Sequence, residues 1–295
     1  MAESKQHADL KAIVAAAAEE AGWTAEFEVS RTSPSGKRWQ ADVLLEKDGR
    51  EVAVEVQWSP QKHVQYLKRQ TKYLETGVEV IWLHRTKKLQ PTREVVEARL
   101  QAKSSGKYEV VLAGFPNQRV PVERFVKAAL ESKVRFGISK SDPINVVVLA
   151  ANMECWHDDC NCSYPIIPQI WLTYGSMDLA PDNPNDPTTE FDSFAAISLD
   201  QIGHYPELEK ALVERLVAEH GWGHIKHRYS RTREEEYLSC GCPECGRIAG
   251  DFYVFPHIYD ATPAIRFRTK FPNKLWDEYF EDFKESIVST WLIWD

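Results

Sequence analysis

At 295 residues, 43% hydrophobic and 27% charged, the chain has the profile of a globular protein long enough for two domains with their own cores. Its net charge of −8 is segregated: residues 1–145 hold 24 basic against 19 acidic side chains, a balance of +5, and the remainder carries −13. The acidic total argues against a broad nonspecific coat on nucleic acid and leaves a local basic surface in the first half.

His7 to Ala21 reads as a helix. Its apolar run, Ala12 to Ala18, is short, Ala-rich and followed by two glutamates, so it reads as helix rather than as a signal peptide or membrane span, and cytoplasmic residence is expected. Thr24 to Ser30 reads as a strand. Two alternating runs joined by Asp48-Gly49 follow, a strong hairpin signal that pairs Lys47 with Arg50 and sets Asp42 across from Glu55. One face carries Asp42, Leu44, Glu46, Glu51, Ala53, Glu55 and Gln57; Val43, Leu45, Val52, Val54 and Val56 line the other, which is expected to be the core face. Facing like charges destabilise a sheet, so Asp42 and Glu55 call for a compensating cation, and a hard divalent ion such as Mg²⁺ suits carboxylate oxygens.

Gln61 to Glu75 reads as a charged helix and Val78 to His84 as a short apolar strand, which completes the order α, β, β, β, α, β. With a polar dyad on the second and third strands, this order resembles the PD-(D/E)xK nuclease core. The closer resemblance is to competence protein CoiA-like nucleases: Ala41-Asp42-Val43, Glu55-Val56-Gln57-Trp58-Ser59, His7 with Lys11 on the first helix, and Val80-Ile81-Trp82-Leu83 match that family's motifs. The resemblance implies Asp42 and Glu55 as ligands of Mg²⁺ or Mn²⁺, Gln57 as the residue that positions water, and phosphodiester hydrolysis as the reaction. Position 57 is Gln where the wider superfamily has Lys, and an amide supplies no positive charge. Lys62, Lys68, Arg69 or a second metal ion are candidates for that charge. Glu19, Glu20 or Glu26 is the expected extra acidic residue, and His7, Lys11, Lys62, Lys68 and Arg69 are expected to contact nucleic acid.

Beyond His84, Thr92 to Lys103 reads as a helix, Tyr108 to Ala113 as a strand and Val122 to Lys133 as an amphipathic helix. Gly137 to Pro143 reads as a linker. The expected domains are a nuclease-like 1–140 and a zinc-binding α+β domain over 144–295, with an acidic loop insertion near 176–192.

All six cysteines lie in two clusters, Cys155, Cys160, Cys162 and Cys240, Cys242, Cys245. Cys242-Pro-Glu-Cys245-Gly has the spacing of a zinc knuckle, and structural Zn²⁺ is expected. Cys155-Trp156 resembles a CoiA-like knuckle with a stretched gap. Cys155 and Cys160 are taken as the second pair, with Cys162 or His157 as alternatives to Cys160 and with Cys240 and Cys162 otherwise left free. The metal would hold strands near Tyr164 to Thr173 and Asp251 to Phe255 together. Pro206 to Glu219 reads as an amphipathic helix, and Gly221 and Gly223 break the spacing that would align His220, His224 and His227. Lys274 to Trp294 has aromatics at helical spacing, expected to pack a core.

The functional expectation is a divalent-metal-dependent deoxyribonuclease in competence, recombination or defence against foreign DNA. The alternative is a non-catalytic DNA-binding or recombination-mediator protein on a degenerate nuclease fold. DNA is the expected partner, a membrane is not, a protein partner for the acidic C-terminal domain is the further option, and the oligomeric state is open.

Overall fold

Asp48 and Gly49 both take positive φ, 50° and 78°, the combination that a two-residue hairpin turn demands and that glycine adopts without strain. The computed structural model describes residues 4–59, 63–85, 92–103, 106–112, 115–179, 195–280 and 291–295. Two compact units emerge, one of Met1–Gly137 with Glu285–Asp295 and one of Ile138–Lys284.

The first unit is built on a seven-stranded sheet whose strands lie in chain order. These are β1 (Thr24–Thr32), β2 (Arg38–Lys47), β3 (Arg50–Gln57), β4 (Glu79–His84), β5 (Val96–Ala102), β6 (Tyr108–Leu112) and β7 (Phe115–Pro121). Neighbours are antiparallel except β3–β4 and β4–β5, which are parallel. The helices are α1 (Lys5–Glu20), α2 (His63–Thr76) and α3 (Val122–Leu130), so the opening order is α, β, β, β, α, β, within a mixed α/β unit on one large sheet. Ser4 caps α1 by accepting the His7 amide, a bond typically worth about 1 kcal/mol. Gly22, at φ 79°, lets the chain turn into β1.

Hairpin register follows the turn: Lys47 pairs with Arg50, Leu45 with Val52 and Val43 with Val54. Burial does not follow the expected split into a core face and a wet face. Val43, Leu45, Val52 and Val54 are buried, and so are Leu44, Ala53 and Glu55 on the other face. The cause is α2, whose Tyr66 and Tyr73 pack with Trp39, Ala41, Leu44, Ala53, Val80 and Trp82 in one cluster. Trp39 and Ala41 share that cluster with Leu44, so the in-and-out alternation changes phase between them, at Asp42.

One expected helix is a strand. Thr92 to Lys103, rich in helix formers, contains the strand β5, because parallel pairing with β4 buries Ala98 and Leu100. Within the final aromatic segment, Asn273–Phe280 is a helix and Trp291–Ile293 is a strand that pairs with Val134–Phe136.

In the second unit, Pro143–Glu154 and Ser163–Thr173 form the antiparallel centre of a four-stranded sheet flanked by Ala195–Ile197 and Thr262–Lys270. Pro206–His220 is the expected amphipathic helix, ended by Gly221 in the left-handed region. Lys226–Ser230, Glu235–Gly241 and Ile248–Ala249 make a smaller sheet. Asp251–Val254 is a short helix, not a strand. The proposed acidic insertion lies outside the described residues over 180–192. Among the described residues no helix is long and apolar enough to cross a membrane.

Candidate active site and metal centre

The β2–β3 ladder ends at the Val43–Val54 pair, and the next position on β2 is Asp42. Its carboxylate accepts the Val56 amide at 2.8 Å, so the side chain fills the gap where the strands part. From α1, His7 Nε2 lies 3.3 Å from the same carboxylate oxygen. One turn later Lys11, 6% exposed, pairs with Glu28 on β1. Because Phe27 pairs with Val43 and Val29 with Ala41, Glu28 stands opposite Asp42. It takes φ 55°, unusual for a residue with a side chain and a mark of local strain.

Glu55 is fully buried. Arg69 and Tyr73, one turn apart on α2, converge on it: Arg69 donates to Oε2 and the Tyr73 hydroxyl to Oε1. Tyr73 also reaches the Gln40 carbonyl at 2.9 Å, and Arg69 sits over the Trp82 ring at 5.1 Å. Burial pushes the Glu55 carboxyl up to about 7, against the pull of Arg69 and with a further push from Asp42.

Three carboxylates thus occupy successive strands, Glu28, Asp42 and Glu55, with His7 and Lys11 of α1 on the first two and Arg69 and Tyr73 of α2 on the third. A cleft of about 390 Å³ opens beside them, lined by Glu28, Arg38, Trp39, Gln40, Asp42, Arg69, Lys72 and Tyr73. Glu55 is not in its wall; the two side chains bonded to Glu55 are.

Of the charges suggested to replace the absent lysine, Arg69 is the one placed on the dyad. Lys68 is exposed and does not line the cleft, and Lys62 lies outside the described residues. Gln57 donates to the Ser59 carbonyl at 2.7 Å. Of the acidic candidates, Glu20 is paired with Lys127 and Glu26 lies opposite Leu44. Glu28 holds the position beside Asp42 instead. Sequence alternation gives no warning of it, since its placement rests on a backbone twist and on Lys11 reaching over from α1.

In the second unit the fold brings together Cys155, Cys160, Cys242 and Cys245, whose sulfurs all lie within 4.8 Å of one another. The Cys155–Cys245 and Cys160–Cys242 separations are 3.6 Å. A tetrahedral ion with Zn–S bonds of about 2.3 Å has sulfur–sulfur edges of about 3.8 Å, so the quartet fits a metal such as zinc. Burial pushes the Cys242 thiol up, but the amides of Cys245 and Glu244 outweigh it and bring it down to about 6, which favours the thiolate a metal needs. The knuckle closes through Gly246 N–H to the Cys242 carbonyl at 2.9 Å. Cys240 stands outside the quartet, its sulfur accepting the Ile167 amide and its thiol pushed up to about 12 by burial. Cys162 also stands outside. His224 bonds the Pro165 carbonyl and His227 pairs with Glu209, so neither joins a metal group.

Residues 3–108 match the family model described as "Competence protein CoiA, nuclease-like domain", which supports a CoiA-like family. The match ends before the cysteine-bearing unit. No curated protein matches the chain. Among solved structures, the "Crystal Structure of Protein of Unknown Function AF1548" aligns at 16% identity and a TM-score of 0.26, over 32% of this chain and 58% of that one. The chain therefore spans a little over half of that protein's length.

Proposed function

We propose that this CoiA-like chain is a divalent-metal-dependent nuclease that hydrolyses phosphodiester bonds of DNA, on a PD-(D/E)xK-type core, in the handling of incoming or foreign DNA. The observation that carries the reading is the placement of Asp42 and Glu55 where β2 and β3 part, beside a cleft walled by Arg38, Arg69 and Lys72. Carboxylates on adjacent strands next to three cations suit a reaction in which a polyanion must be brought to a metal.

Asp42 and Glu55 are hard oxygen donors of the kind Mg²⁺ and Mn²⁺ take, and they would hold the ion. The chemistry such an ion would supply there is charge neutralisation at the scissile phosphate and a lowered pKa for a bound water. The chain's own residues do the rest. Arg38 and Lys72 attract the backbone as point charges on the cleft wall. Tyr73 and the Val56 amide fix the two carboxylates, so their orientation is set before substrate arrives. Arg69 supplies the charge that Gln57 lacks, and Gln57 offers an amide to a water. The cysteine quartet would hold structural zinc: four thiolates leave no open position.

A second reading, a non-catalytic DNA binder, draws on the filling of both Glu55 oxygens by Arg69 and Tyr73. Incubation with single-stranded, duplex and branched DNA in Mg²⁺, Mn²⁺ or EDTA separates the two. The nuclease reading expects cutting that chelator abolishes and that Asp42→Ala and Glu55→Ala each lose. Binding without cutting in any metal supports the binder.

A further inference from the structure

Both oxygens of the Glu55 carboxylate are occupied, Oε1 by the Tyr73 hydroxyl and Oε2 by the Arg69 guanidinium. The carboxylate is 1% exposed, whereas the Arg69 side chain is 31% exposed. Arg69 and Tyr73 line the cleft and Glu55 does not. An ion arriving through the cleft therefore meets these two side chains before it meets Glu55. Tyr73 is neutral and can rotate its proton toward the Gln40 carbonyl, which it already reaches. Arg69 is a permanent cation, and a divalent ion cannot share a buried carboxylate oxygen with it without strong repulsion.

Building on the nuclease reading, we infer that Arg69 is a resident counter-cation which a divalent metal must displace from Glu55, and that a phosphate of the nucleic acid is what receives the displaced guanidinium. Three features support the exchange. A buried carboxylate needs a positive partner once it is ionised, so from that state one cation leaves only as another comes. A guanidinium matches phosphate as well as carboxylate in a two-pronged geometry. The Trp82 face, 5.1 Å from the guanidinium carbon, keeps Arg69 at the site during the exchange, and Arg38 and Lys72 on the same wall draw the phosphate to it.

Metal and nucleic acid then load cooperatively. Metal alone leaves the guanidinium without an anion, and nucleic acid alone leaves Glu55 without a cation; together each partner is satisfied. The coupling is reciprocal by linkage, and allosteric couplings of this kind run at about 5- to 150-fold.

The test is Mn²⁺ affinity of the full, zinc-loaded chain, read by electron paramagnetic resonance with and without a short single-stranded phosphorothioate oligonucleotide. Mn²⁺ is a hard ion and reports carboxylates rather than the thiolate quartet. The Glu55→Gln protein corrects for metal held by the DNA itself. Wild type is expected to bind Mn²⁺ at least about 5-fold more tightly with the oligonucleotide. Arg69→Gln is expected to bind it more tightly than wild type without DNA and to lose the DNA effect. Wild-type affinity that DNA leaves unchanged overturns the proposal, and this arm needs no substitution, so it stands even if Arg69→Gln does not fold. Folded Arg69→Gln that binds Mn²⁺ no better than wild type also overturns it, with the metal site itself intact. Wild type and Arg69→Gln that both match Glu55→Gln, with and without DNA, would remove the metal reading altogether.

Discussion

The Asp42 carboxylate accepts the Val56 amide proton at 2.8 Å, just past the last pair of the β2–β3 ladder. A side chain there takes the part of a strand partner, which ties the proposed ligand to the integrity of the sheet. Asp42→Ala leaves a buried N–H without an acceptor at a cost of about 1–3 kcal/mol, and a lower melting temperature is expected. Asp42→Asn keeps an acceptor oxygen and should melt close to wild type while losing cleavage. Thermal denaturation of both variants, read beside activity, separates the structural duty of Asp42 from its proposed chemical one.

Glu55 makes stability depend on pH. Its carboxyl is pushed from an ordinary 4.5 to about 7, because burial outweighs the attraction of Arg69. Between these values the folded chain holds a proton that the unfolded chain has released, so unfolding free energy falls as pH rises through that window. The stabilisation is fully present below about 4.5 and lost above about 7, with an upper bound of about 3 kcal/mol. Denaturant titrations from pH 4.5 to 8 should show a steeper decline for wild type than for Glu55→Gln. Parallel curves would contradict the burial argument.

Lys11 is buried under its pairing with Glu28. Glu28→Gln removes the carboxylate paired with the Lys11 ammonium; because the Glu28 side chain is 47% exposed, the cost should be about 1 kcal/mol, and Lys11→Met with Glu28→Gln should recover part of it. A double-mutant cycle on chemical denaturation measures the coupling. If cleavage stays low in the stable double variant, the pair contributes to the site beyond holding the fold.

The hairpin and its register were legible because Asp48-Gly49 is a local signal that needs no tertiary information. Counting on from it sets Asp42 directly across from Glu55, whereas the ladder ends at Val43–Val54 and the Asp42 side chain accepts the Val56 amide instead. Burial of the second face was not legible: Glu55 on an alternating strand looks like a solvated charge until α2 packs on that face and bonds it through Arg69 and Tyr73. Nor was Glu28, whose position depends on a positive φ and on Lys11 from another element. The segment around Val96 misled because Glu, Ala, Arg, Leu and Gln favour helices, and its pairing with β4 and β6 makes it a strand. The cysteines were legible as two clusters, and the expected pair Cys155 and Cys160 is the one brought to Cys242 and Cys245, with the Cys160 amide bonded to the His157 carbonyl.

The thiolate quartet predicts one zinc per chain. Cys242→Ser should drop the bound metal well below stoichiometry and expose the loops around Cys155 and Cys245 to protease, while Cys162→Ser should keep full occupancy. Elemental analysis of the purified variants, with limited proteolysis, checks both expectations. Equal zinc loss in the two variants would place Cys162 among the ligands.

The most direct test of the nuclease reading is a cleavage rate on DNA carrying a single sulfur-substituted scissile phosphate, compared between Mg²⁺ and Mn²⁺. Metal contact with the phosphate predicts slow cutting in Mg²⁺, recovery in the more sulfur-tolerant Mn²⁺, and no cutting by Asp42→Asn in either. Equal rates on normal and substituted DNA in both metals, or cutting that persists in Asp42→Asn, would contradict metal-assisted hydrolysis at Asp42 and Glu55.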